Sequence, residues 1–152
     1  MAGGWHENRR VATAAAVNVI YYPAGDDENN WDERVIESSI FGAQSTMPLI
    51  QAMEMGKRRE ERLCAGVVWK VLREAPADVV YEWYRESACG GSPPRHEIGR
   101  YAVGDEAMHH ITYSAATTAL PVERRNDWIG RIEGANLRNE QPAGTRPAAD
   151  RD

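Results

Sequence analysis

Histidine, cysteine, serine and paired carboxylates are the side chains able to do chemistry here, and their spacing decides what they can do. His96, His109 and His110, with Cys89 near in sequence, match no Cys/His finger or ribbon. Adjacent histidines on a helix would point in different directions, so no metal site is expected. Nucleophilic catalysis needs a Ser or Cys beside a base held by a third group. Ser38, Ser39, Ser45 and Ser114 lie in no GxSxG-like elbow, and Cys64 falls in an apolar stretch that suits a buried structural thiol. The carboxylate pairs Asp26-Asp27, Glu60-Glu61 and Asp105-Glu106 are sequence neighbours, which a helix separates. No GxGxxG, phosphate loop or HExxH is present. The chain therefore reads as a non-enzyme without a cofactor.

Recognition is the remaining chemistry. Arg95, Arg100, Arg124 and Arg125 can anchor phosphates, while His109, His110, Thr112, Tyr113 and Ser114 can reach base edges. Positioning them requires elements, and three- and four-residue apolar steps read as helices throughout. Val11–Tyr22 reads as an alanine-rich helix drifting toward strand preference in its second half. Asp32–Ile40 follows. A long helical stretch is capped by Ser45 or Thr46, carries Pro48 in its first turn, and runs through Leu49, Met53, Leu63, Val67 and Leu72. Helices are then expected at Pro76–Glu86, Arg95–Ala102, Glu106–Leu120 and Val122–Ile132. Cys89-Gly90-Gly91-Ser92-Pro93-Pro94 is the clearest loop, and Val103-Gly104-Asp105 a tight turn. Ile98 with Ala102, and Met108 with Ile111, would face each other across that turn. Gly99 would allow close approach, and Asp105 would cap the second helix.

Residues 57–120 carry a family resemblance. KRREERLCAGVVWKVLREAPADVVYEWYRE followed by HEIGRYAVGDEAMHHITYSAATTAL resembles the sigma-factor region-four type of helix-turn-helix domain, and in particular small phage antitermination proteins of the Q type. The resemblance implies an all-α fold, a helix-turn-helix-like pair at 95–120, and a transcription regulator that contacts DNA and RNA polymerase.

The chain has 152 residues, 42% hydrophobic and 27% charged, with a net charge of −5. That size supports one core without metal or disulfide. The acidic balance excludes a generic nucleic-acid coat. It also allows a second reading, an acidic helical inhibitor of the anti-CRISPR or host-takeover type, acting on a host nucleic-acid-processing protein. Five tryptophans, among them Trp5 and Trp31, suit protein–protein recognition as well as a core. Cys64 and Cys89 form no CxxC and no disulfide framework, so a reducing cytoplasm is expected, and no apolar run reaches the ~20 residues of a membrane span. The expected organisation is a peripheral segment at 1–30, a small helical bundle at 31–134, and a disordered tail at 135–152.

Overall fold

The computed structural model describes residues 4–44 and 46–137. Its core is a seven-stranded antiparallel sheet, not a helical bundle. Three strands come first: β1 (Trp5–Ala12), β2 (Ala16–Pro23) and β3 (Glu33–Phe41). Helix α1 (Leu49–Leu63) crosses to β4 (Val67–Ala75), then β5 (Asp78–Arg85), β6 (Arg95–Val103) and β7 (Ala107–Ala115) run back, and α2 (Val122–Glu133) is the last described element. The strand order is β1-β2-β3-β7-β6-β5-β4. No described helix is long and apolar enough to cross a membrane.

The all-α expectation is overturned, and with it the helix-turn-helix at 95–120. That segment is the β6–β7 hairpin, turning at Gly104 and Asp105 and paired from His96↔Ala115 to Val103↔Met108. The physical reason lies in the alternation. Val79, Tyr81 and Trp83 lie on one face of β5, and Val80, Glu82 and Tyr84 on the other. Because β5 is covered on both faces, its apolar residues run together and imitate a helical stripe. Asp32–Ile40 falls largely in strand β3, where Val35, Ile36 and Ile40 carry strand preference. The stretch expected to continue helically to Leu72 stops at Leu63, because Gly66 turns the chain at φ +76° into β4. Of the segment expected to be peripheral, β1 is an exposed edge strand while β2 is built into the sheet with Val17, Val19 and Tyr22 buried. Among the helical expectations, helices beginning near Pro48 and Pro121 and the burial of Trp128 and Ile132 agree with the structure. Pro48 itself, however, precedes the first turn of α1 with no side-chain cap, and Thr46 bonds the Ala43 carbonyl instead. The disorder expected of the tail falls, after Leu137, outside the described residues.

Each face of the sheet has its own helix. Leu49, Ala52 and Met53 of α1 pack on Val79, Tyr81, Trp83 and Met108. Trp128 and Ile132 of α2 pack on Val35, Ile98, Ile111, Tyr113 and Ala115. Truncating one of the larger of these side chains, such as Leu49, Met53 or Ile98, to Ala removes on the order of 2–5 kcal/mol. The cysteines are corrected too. Cys64 and Cys89 form a disulfide with Cα atoms 5.8 Å apart, because the crossover sets the end of α1 against the β5–β6 loop. Gly90 and Gly91 turn that loop at φ +56° and +79°.

Candidate functional site

The antiparallel register builds one continuous row across the α1 face: Arg34 of β3 opposite Ser114 of β7, Ser114 opposite Glu97 of β6, and Glu97 opposite Trp83 of β5. One step toward the β5–β6 loop, Arg95 stands directly opposite Arg85. Like charges in that position repel. Arg85 is only 3% exposed. It donates to the Pro93 carbonyl at 2.8 Å and to Cys64 Sγ at 3.1 Å. The indole of Trp31 lies between the other two guanidinium groups, 4.2 Å from Arg34 Cζ and 5.5 Å from Arg95 Cζ.

These three arginines have no carboxylate of the described residues within ion-pair distance, although Glu97 acts on Arg34 and Arg95 and Glu60 on Arg85 through space. Arg73, Arg100, Arg124, Arg125 and Arg131 each hold a carboxylate. Among the described residues, Arg34, Arg85 and Arg95 hold none, and the Nε of each is buried without an acceptor. Burial lowers the pKa of both Arg34 and Arg85, and the neighbouring Arg95 lowers it further. Arg85 is fully buried while Arg34 and Arg95 are half-buried, and together they make this face electropositive.

Beside it runs a polar relay. Glu97 Oε1 accepts from Trp83 Nε1 at 3.1 Å and from the Tyr81 hydroxyl at 3.3 Å, and Oε2 accepts from Ser114 Oγ at 2.9 Å. Burial raises the Glu97 pKa, against the pull of those donors. The Tyr81 hydroxyl also meets His110 Nε2 at 2.7 Å. His110 stacks on Tyr101 with ring centroids 3.9 Å apart. Burial, then the charge of Arg59, pushes the His110 pKa down to about 3. At neutral pH its imidazole is therefore a hydrogen-bonding group and not a proton acceptor. Tyr101 is held at about 12, by burial and by Glu97.

The sequence-predicted residues divide between the two faces. His110, Thr112 and Ser114 share the α1 face with Arg95, but only Ser114 lies near it, since His110 pairs with Tyr101 six residues further along β6. His109, Tyr113 and Arg100 lie on the other face. His109 Nδ1 is 2.9 Å from Ser39 Oγ, and Tyr113 stacks on Trp128 at 4.0 Å. Arg100 grips Asp78 at 2.9 and 3.2 Å. Arg124 and Arg125 sit on α2, paired with Glu33 and Glu82. Sequence reasoning missed Arg34, Arg85, Tyr81 and Glu97, and gave Trp31 only a general recognition role. The signal for them was the two-residue step in Tyr81-Trp83-Arg85 and Arg95-Glu97-Gly99. No three His, Cys, Asp or Glu side chains among the described residues are grouped to hold a metal ion. His96 lies apart on the α2 face, bonded to Glu82 at 2.7 Å and to the Thr118 carbonyl at 3.1 Å. In comparison with known proteins, no family model matches the chain, and neither curated proteins nor solved structures give a match.

Proposed function

We propose that this protein is a binding module for a small ligand bearing an oxyanion, either phosphate or carboxylate. The supporting observation is the set of three guanidinium groups, Arg34, Arg85 and Arg95, on one sheet face with no carboxylate partner. Arginine forks suit planar and tetrahedral oxyanions, and Trp31 holds two of the forks in place. Burial raises the pKa of the neighbouring Glu97, which favours its neutral form over the charged one.

The test is calorimetric titration at low ionic strength with inorganic phosphate and with acetate. At least one should bind. Arg34→Ala and Arg95→Ala should each weaken binding by about tenfold or more, the scale of a hydrogen bond to a charged group. Arg124→Ala, on α2, should leave it unchanged. No heat with either anion, or undiminished binding by both arginine variants, would remove this function.

DNA and RNA polymerase as partners draw less support from the geometry. Arg100, Arg124 and Arg125 are already engaged by carboxylates, and His109, Thr112 and Ser114 are buried. An acidic inhibitor of a nucleic-acid machine rests on the net charge of −5 alone. The cytoplasmic expectation rested on unpaired cysteines, and the Cys64–Cys89 bond favours an oxidising compartment instead.

A further inference from the structure

On the opposite face of the sheet, beside α2, we infer a second binding site, for an organic cation: an ammonium group carried on an apolar or aromatic body. A groove of about 630 Å³ runs there between α2 and the β1–β2–β3–β7 part of the sheet. That volume is within the range of small-molecule pockets, roughly 300–1,000 Å³. Three rings line it. Trp5 stands edge-on to Trp128 with centroids 5.6 Å apart, and Tyr21 lies on the neighbouring strand. Val35 and Ile111 give it an apolar floor.

The charge of the groove selects the ligand. Glu37 lines it and also lines the smaller crevice, about 20 Å³, that continues past His109. The Tyr21 hydroxyl donates to Glu37 Oε2 at 3.3 Å, yet among the described residues no cation pairs with this half-buried carboxylate. The other half-buried or buried carboxylates of the sheet are compensated: Glu33 by Arg124, Asp78 by Arg100, Glu82 by Arg125, and Glu97 by three donors. Two further charges face the groove, and both are neutralised locally. Glu7 is bound by Arg10, and Arg131 by Asp127 at 2.8 Å. Trp128 is already stacked on Tyr113 and approached by Arg131 at 5.4 Å, so the rings left for a ligand cation are Trp5 and Tyr21. One uncompensated carboxylate among aromatic rings is the chemistry that recognises alkylammonium groups, by ion pairing with the acid and cation–π contact with the rings.

The probes are 2-phenylethylamine and its near-isosteric neutral partner 2-phenylethanol, titrated into the full chain and followed by the indole N–H resonances. The amine should bind about tenfold more tightly than the alcohol and shift the Trp5 and Trp128 signals, leaving Trp69 unmoved. Glu37→Gln should abolish the preference while its unfolding midpoint stays near that of the parent chain. Arg95→Ala, on the other face, should bind the amine normally, so failure here and failure of the anion site are separate results. Equal affinity for amine and alcohol, a preference surviving Glu37→Gln, shifts confined to other tryptophans, or no binding at millimolar concentration would each overturn the cation site.

Discussion

Gly99 shows how one residue type can organise a site. A Cβ at this position would stand 2.3 Å from the Tyr81 ring. Only glycine lets that ring lie across β6 and reach His110 on β7. Glycine weakens a strand, and the overlying ring restores the lost cover. Gly99→Ala should displace Tyr81, lose its contact with His110, and lower stability by about 1–3 kcal/mol in urea denaturation. An unchanged midpoint would show that the ring moves without penalty. His110 makes a second prediction. Its folded pKa lies below the unfolded value of 6.5, so in acid the unfolded chain takes up a proton that the folded chain refuses. Its contribution to stability is present above pH 6.5 and is lost as pH falls from there toward about 3. The His110 ring resonances should therefore stay flat between pH 8 and 5. Glu97 acts in the opposite sense, because its raised pKa favours folding below 4.5 and opposes it as pH rises.

Helix α2 is held by charge as well as by Trp128 and Ile132. Arg125 grips Glu82 through Nε and Nη2, each at 2.5 Å, and Arg124 reaches Glu33. At the other end, Arg100 donates to the carbonyls of Ile132 and Ala135 at 3.4 and 3.1 Å, adding to the backbone bonds that close the helix end. Glu82 is 5% exposed. Burial raises its pKa, but hydrogen bonds from Arg125 and then His96 outweigh burial and leave it lowered. Its stabilisation is thus present above 4.5 and is lost as pH falls through the folded value. Arg125→Ala strands a buried carboxylate and should destabilise by about 3–5 kcal/mol. Arg131→Ala breaks an exposed i,i+4 pair with Asp127, worth roughly 0.3–0.5 kcal/mol. Similar losses in the two variants would mean that the Glu82 ion pair does not anchor α2.

At the scale of the whole molecule, the Cys64–Cys89 bond ties α1 to the β5–β6 loop across 25 residues of sequence. Closing a loop of that length stabilises by about 3 kcal/mol in the chain-entropy account. Reduction, or Cys89→Ser, should lower the urea midpoint accordingly, and an unchanged midpoint would mean that the sheet alone sets α1. The pairing of β3 with β7 joins residues about seventy positions apart, as in Ser39↔His109, and such long-range closure slows folding. By itself, the sequence determined the features that depend on near neighbours. The prolines start both helices, the glycines turn the β5–β6 and β6–β7 loops, and Trp128 and Ile132 mark the buried side of α2. The tertiary structure alone decided that Val79 to Tyr84 is a strand, since a strand buried on both faces has the same apolar run as a helix. It alone decided which of two adjacent histidines shares a face with Arg95, because that depends on register. It alone gathered Arg34, Arg85 and Arg95, which are distant or unremarkable in the chain and meet only when β3, β5, β6 and β7 lie side by side.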